Sequence, residues 1–554
     1  MKSIILLFFL TGVCLATILR VPDDYSKIQQ AIDSCSAGDT ILVSPGKYDE
    51  ALQTNENSII LASYVLFTAD SNYIDSTIIQ GFSGPCITVE GGADSITVIG
   101  FTITGGSYKN FGSFRVGAGI FVNQSKLILK NNNFEFNGSS ESLKGKGGAL
   151  YAYNSEVILT DNTFQYNRSD YGGAIAADES TVRIMGNIFF HNRVQGYGGA
   201  LNLASSTVFV VDNLFYQNGA LDRGGAIACG SCTGHIGNND FIENLFVDAD
   251  SAFADYGGGL DCNGSSYGVL KVFGNRFKKN RANNGAAISC RNNVLLQNNI
   301  ITDNKDGLGS AIYVDGNSKI INNTIYNNDG YSTIYIKSGS PRIINNIIWN
   351  NSLRNDWKTI YIVPDPGTPV VSYCDIQDNF DGTGNITVDP YFRDALNDDF
   401  HLMTTDCGDN ITSPCIDTGS PLYEDSLLGC DAGLGTKLSD MGAYGGGIDL
   451  STGIVEKSNK LPQTPYLIHV NPNPFNSTVR ISFKIEKAQN ISLFIFDMSG
   501  RSIRRLYQGG VSPGEKNFLW DGLDNNGFPA ASGGYIVRLA VNAAMYSEKI
   551  ILIK

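Results

Sequence analysis

The sequence predicts an all-β chain, a parallel β-solenoid followed by a small antiparallel β-sandwich, and three observations carry that prediction. Between Gly147 and Asn218 one phrase is written three times: GGALYAYNSEVILTDNTFQYN, GGAIAADESTVRIMGNIFFHN and GGALNLASSTVFVVDNLFYQN. Self-similarity at a fixed short period marks stacked repeats, each burying its neighbour's apolar face. Composition is the second observation: of 554 residues 62 are glycine and only 17 % are charged, which suits many turns and few long helices. The third is a change near Leu467, where short alternating apolar runs between Gly and Asn turns replace the repeats. That alternation is the pattern of an antiparallel sandwich.

Residues 1–16, MKSIILLFFLTGVCLA, combine a basic start, an apolar run from Ile4 to Leu10 and the small Ala16. They read as a secretory signal peptide cut before Thr17. Val13 stands before Cys14 where a lipoprotein signal has a smaller residue. No later run reaches the roughly 18 apolar residues that cross a bilayer, so the mature chain is expected to be exported, to lack a transmembrane segment and to be free to form disulfides. A formal charge of −14 and a pI near 4.8 exclude a general nucleic-acid binder, because phosphate neutralisation needs clustered Lys and Arg.

The solenoid reading covers residues 17–447. At its start Tyr25, Ile28, Ala31, Ile32 and Cys35 share one helical face, Gly38 is expected to end that helix, and Ile41 to Val43 begins a strand. With its IQQAID and Pro45-Gly46-Lys47-Tyr48 pieces, this stretch resembles the N-terminal cap of right-handed parallel β-helix proteins of the pectin lyase-like superfamily. The resemblance implies a right-handed coil. The repeats align on Asn132, Asn162, Asn187, Asn213, Asn239, Asn275, Asn299, Asn323 and Asn346. Two residues after each lies Phe or Ile (Phe134 to Ile348), and three before each lies Leu, Ile or Val (Leu129 to Ile343), so both columns are expected to face inward. The Asn column is expected to supply left-handed corners and side-chain bonds between coils. The paired glycines supply turns that a side chain would obstruct. The GGAI and F-x-x-N elements between Gly117 and Asn280 also resemble the repeats of chlamydial polymorphic outer membrane proteins, which implies a surface adhesin.

After Asn351 the register dissolves. Pro414 to Gly419 and Asp440 to Tyr444 resemble the region that ends many exported bacterial β-helix proteins, so this part reads as a C-terminal cap. Residues 448–466 read as a polar, mobile linker, and 467–554 as an Ig-like β-sandwich. Its Pro472-Asn473-Pro474-Phe475, Trp520-Asp521-Gly522, Gly534-Tyr535 and terminal Lys554 resemble the C-terminal sorting domain of the type IX secretion system. That resemblance implies a Gram-negative host, passage through the periplasm to the cell surface or beyond, the outer-membrane sorting machinery as partner, and often removal of the domain. Asp521, Asp524 and Asn526 read as turn formers.

Few residues point to chemistry. Cys229, Cys262 and Cys290 occupy one core column and read as stacked thiols or a local disulfide, while Cys407, Cys415 and Cys430 could staple the cap. His191, His235, His401 and His469 lie on separate parts of the architecture, and Gly264-Ser265-Ser266-Tyr267-Gly268 lacks the strand-to-helix elbow of a hydrolase nucleophile. The outward residues of the first strand in each coil are more informative, because a solenoid presents them as a continuous groove. There Asn263, Arg291, Asp315 and Lys337 are expected in one column and Tyr313, Tyr335 and Tyr361 in the next. Aromatic faces beside paired charges suit a sugar chain. The same residues could instead be a ladder that only stabilises the strands. The leading expectation is an exported, non-enzymatic protein that binds glycans or a host or cell-surface ligand. The alternative is a polysaccharide lyase or glycoside hydrolase on an acidic polysaccharide, with Asp261, Arg291 and Asp315 as catalytic candidates. No cofactor is expected apart from calcium, for which the insertion after Asn244 offers Asp248, Asp250 and Asp255. That stretch reads first as a solvated acidic loop and only second as a calcium site.

Overall fold

The computed structural model describes residues 16–68, 70–92, 95–139, 145–245, 255–355, 357–364, 367–425, 428–430, 434–446, 469–471, 475–485, 489–497, 502–525, 527–531, 533–541 and 544–552. The signal peptide apart from Ala16, the linker, Asp248 and Asp250 lie outside them. Each coil carries three short strands, for example Ile175–Asp178, Thr181–Met185 and Ile188–Phe190, each paired in parallel with its counterpart in the next coil. The third strands form a 13-stranded sheet. First and second strands merge into one 25-stranded sheet, because Ile227–Gly237 runs unbroken through both positions. Return segments add a six-stranded sheet along one corner.

Both predicted columns face the interior. Phe134, Phe164, Phe189, Phe215, Phe241 and Phe277 are fully buried, their rings near-parallel and 4.5 to 5.0 Å apart. Leu129 to Ile343 line the opposite wall, also fully buried. Cys229, Cys262 and Cys290 lie in register as buried free thiols, and in the cap Cys407 is joined to Cys430 while Cys415 stays free.

The Asn column works differently from the expectation. The ladder Asn residues do not take the left-handed conformation; the residue before each one does, as at Asp161 (φ 55°), Asp212 (φ 56°) and Asn322 (φ 53°). That residue turns the chain, and the ladder Asn is thereby aimed into the buried corner. Asn187 shows the pattern. Its Oδ1 accepts from the backbone N–H and the amide of Asn162 at 2.9 and 3.0 Å. Its amide donates to Asn213 Oδ1 at 3.1 Å and to the Leu159 carbonyl at 3.0 Å. A second ladder of the same kind follows the third strands, from Asn137 through Asn167, Asn192, Asn218, Asn244, Asn280, Asn304 and Asn328 to Asn351. Both ladders cross the long coil without stretching: the Asn239–Asn275 and Asn244–Asn280 bonds are 2.9 and 3.0 Å although the partners lie 36 positions apart. Both corners flanking the insertion are therefore unperturbed. The glycine turn is as expected: at Gly172 (φ +63°) a Cβ would lie 2.1 Å from the Ile175 carbonyl oxygen.

At the N-terminal end the helix Ile28–Ser34 covers the first coil. It ends at Cys35, before the predicted Gly38, because Cys35 is already extended. The C-terminal cap does not simply close the far end. It folds back along the outside of the last coils, where the corner residues Asn298, Asn322 and Asn345 donate their amides to Ala443 O, Asp440 O and Ser439 Oγ at 2.9, 2.8 and 3.0 Å. The C-terminal sandwich packs sheets of three and four strands around Trp520, Val479, Leu493 and Val537. Its Phe496 and Ile536 bury against Ile188 on the outer face of the third-strand sheet.

Replacing a ladder residue should be costly, because each one satisfies buried groups on both neighbours. Asn213→Ala strips acceptors from Asn187 and a donor from Asn239, and should lower stability by about 3 kcal/mol or more. A denaturation midpoint within experimental error of the parent would show that the ladder is dispensable.

Candidate functional site

The outward face of the first strands divides into a charged centre and an aromatic end. At the centre the strand Leu260–Gly264 carries Asp261, only 2 % exposed. Arg291 reaches back from the next coil and grips it with both ends of the guanidinium: Nη1 donates to Oδ1 at 3.0 Å and Nη2 to Oδ2 at 2.8 Å. Arg223 flanks the same carboxylate at 4.0 Å. Burial opposes the charge on Arg291, and the Asp261 carboxylate more than restores it, holding the guanidinium above its already high range. Such a pair is a fixed brace, since each charge is compensated by the other.

The expected column of Asn263, Arg291, Asp315 and Lys337 is broken at both ends. Pairing between the strands of Asp261 and Arg291 stops at Cys262–Cys290, because the chain leaves after Asn263 into a turn whose Tyr267 is 95 % exposed. Asn263 is half-buried beside this departure. Arg291 does face Asp315 across the next pair, but a bulge after Val314 puts Ser338, not Lys337, opposite Asp315. The Ser338 hydroxyl donates to Asp315 at 2.6 Å and Lys337 reaches it from the side at 3.3 Å. Burial works against the charge on Asp315, yet these two contacts hold its carboxyl below the usual range. Asp315 is thus a bonded carboxylate and not a proton-bearing acid.

The tyrosines do form a column. Tyr313, Tyr335 and Tyr361 are in register and stack with ring centroids 5.5 and 5.4 Å apart. Tyr313 is nearly buried, at 4 % exposure, because Tyr256 packs edge-on against it at 5.6 Å. Tyr335 and Tyr361 stay half-exposed, and Trp357 joins them 4.5 Å from the Tyr361 ring. Sequence reasoning missed this Trp357 and also a side wall made by the residues just before the paired glycines: Tyr171, Tyr197, Arg223 and Tyr256. There Tyr171 and Tyr197 meet at 5.4 Å, and the Arg223 guanidinium lies 4.8 Å from the Tyr256 ring. The position is legible as a column, X-Gly-Gly, though its outward direction is not.

Of the calcium candidates, Asp248 and Asp250 lie outside the described residues. Asp255 is exposed and accepts from Asn283 at 3.2 Å. Among the described residues no group of three His, Cys, Asp or Glu side chains is placed to hold a metal, and no helix is long and apolar enough to cross a membrane. A cavity of about 770 Å³ lies on a different corner, along the second Asn ladder, between His191 and Ser352. Its charges answer one another: Asp306 beside it bonds Arg281 and Arg354, each at 2.6 Å.

The brace account makes a stability prediction. Arg291→Met leaves the Asp261 carboxylate buried and should cost about 3 kcal/mol, whereas the Asp261→Asn/Arg291→Met pair should cost less. Unfolding midpoints that fall further in the double variant than in the single would contradict it.

Comparison with known proteins bears on the fold. The family model described as "Right handed beta helix region" matches residues 63–246 and 258–388, and "FlgD Ig-like domain" matches 471–544. No curated protein matches the chain. Among solved structures, the PL6 family alginate lyase AlyGC is 17 % identical over 68 % of this chain and 54 % of its own, with a TM-score of 0.39. PfbA, a surface adhesin of Streptococcus pneumoniae, is 15 % identical over 63 % of this chain and 91 % of its own, with a TM-score of 0.34. Latent PorU from Porphyromonas gingivalis is 18 % identical over 16 % of this chain and 9 % of its own, with a TM-score of 0.14. The chain thus spans about half the length of the lyase and under a tenth of PorU. The family match covers more than half of the chain, and the protein belongs to the right-handed β-helix family, with a C-terminal FlgD-type Ig-like domain.

Proposed function

We propose that this is an exported cell-surface or extracellular protein that binds glycans without processing them, using the first-strand face of its solenoid. The observation that carries this reading is the stacked Tyr313–Tyr335–Tyr361 column with Trp357 beside it. Half-exposed aromatic rings held rigid by their neighbours offer apolar surface to the C–H groups of sugars, and they lose little side-chain freedom on binding. The charged centre supports a binding role over a reactive one. A lyase or hydrolase needs an acid or base free to exchange protons with substrate, and Asp261, Arg291 and Asp315 are each engaged in hydrogen bonds to other side chains. The C-terminal sandwich, by its resemblance to type IX sorting domains, is the element that delivers the chain through the outer membrane.

Glycan-array binding with the purified mature chain should give reproducible hits, and Tyr335→Ala and Tyr361→Ala should each weaken them about tenfold, the effect of losing roughly 1.4 kcal/mol of stacking. No binding to any glycan would remove the reading. Unsaturated or reducing ends released from an acidic polysaccharide would replace it with the enzymatic alternative.

Delivery has its own test in the native host. Deleting residues 467–554 should strand the protein in the periplasm, whereas unchanged surface display would refute the sorting role.

A further inference from the structure

The other end of the same face carries a second, differently built pocket. Between Gly106 and Gly117 the chain leaves the coil as an antiparallel hairpin, Lys109–Phe111 with Phe114–Val116, which overhangs the first strands. Beneath it the Phe111 ring lies 5.3 Å from Phe121 and 5.5 Å from Tyr153, and Phe121 stacks parallel to Tyr151 at 6.1 Å. One wall is polar. The Lys146 ammonium sits 4.1 Å from the Phe114 ring centre and donates to Asp178 Oδ2 at 2.6 Å, and the Tyr151 hydroxyl donates to the same oxygen at 2.8 Å. Among the described residues nothing donates to Asp178 Oδ1. The space beneath the hairpin is an open depression of about 400 Å³ that includes Phe111, Phe114, Lys146, Tyr151, Tyr153 and Asp178 in its lining.

We infer that this pocket is a subsite for one neutral pyranose residue of a glycan, held between the hairpin phenylalanines and Tyr153 and fixed by Asp178. The inference rests on the glycan-binding reading and adds both a place and a sugar class. Aromatic walls take the apolar face of the ring, while a carboxylate oxygen already oriented by two donors accepts a sugar hydroxyl. Charge selects against uronic acids. Among the described lining residues Lys146 and Asp178 compensate each other, and Glu179 adds one negative charge, in a chain of net charge −14. Six ladder steps separate the strand Leu150–Tyr153 from Ile312–Asp315, about 29 Å at strand spacing. A long glycan could therefore touch the pocket and the tyrosine column together, but a trisaccharide could not.

Calorimetry on the mature full chain with cellotriose, mannotriose and trigalacturonate tests this. Binding of at least one neutral trisaccharide is expected, reduced at least tenfold in both Asp178→Asn and Phe114→Ala, with the trigalacturonate titration flat. Thermal midpoints of the two variants close to the parent's certify folding. Neutral binding unchanged in both variants, or weakened only by Tyr335→Ala, would overturn the pocket and leave the glycan reading standing. Binding of trigalacturonate alone would overturn the neutral-sugar assignment. A chain that binds neither these probes nor any arrayed glycan would overturn both.

Discussion

Two buried ladders of asparagine hold this molecule in register, and most of its other features depend on them. A parallel coil has no hairpin to fix its pairing, so something at the corners must decide which residue lies above which. Within the ladders an Asn accepts two hydrogen bonds from the coil before it and returns its amide to the coil after it and to a carbonyl of the coil before, as Asn187 does at 2.8 to 3.1 Å. A slip by one position would leave several buried polar groups unsatisfied at every corner. The phenylalanine stack then fills the space that this register defines.

Because the corners are fixed independently of the connections between them, the chain can vary elsewhere. The ladders stay unbroken across the insertion after Asn244, the hairpin at Lys109–Val116 leaves the coil ahead of their first rungs, and the turn after Asn263 diverts one strand while its neighbours stay paired. These departures create local relief on an otherwise uniform face. The tyrosine column, the Asp261–Arg291 brace and the aromatic pocket all lie on that face. Its centre is held by ion pairs with little freedom, and its two ends are aromatic.

The same corners also recruit the rest of the chain. Asn298, Asn322 and Asn345, each in the left-handed conformation immediately before a ladder residue, direct their amides outward and fasten the folded-back C-terminal cap. Farther along, outward apolar residues of the third strands, Ile188 and its neighbours, receive the sandwich. One local backbone motif thus builds the core on its inner side and docking points on its outer side.

The sequence by itself determined the solenoid, the length of each coil, the inward Phe and Leu/Ile/Val columns and the change of domain near Leu467, because periodic burial writes itself as periodic residues. It also placed Tyr313, Tyr335 and Tyr361 in one column, since two-residue alternation decides which side of a strand faces out. Only the tertiary structure decided that the residue before each ladder Asn, and not the Asn, makes the corner, since both positions carry turn-compatible residues. It likewise decided that Arg291 turns back to Asp261, that a bulge moves Lys337 out of line, and that Tyr313 is covered by Tyr256. Those outcomes depend on side-chain direction and on one-residue register shifts, and neither leaves a periodic trace. The pocket under the Lys109–Val116 hairpin is the extreme case. Its residues come from three coils and a departure from the repeat, so nothing in their spacing along the chain brings them together.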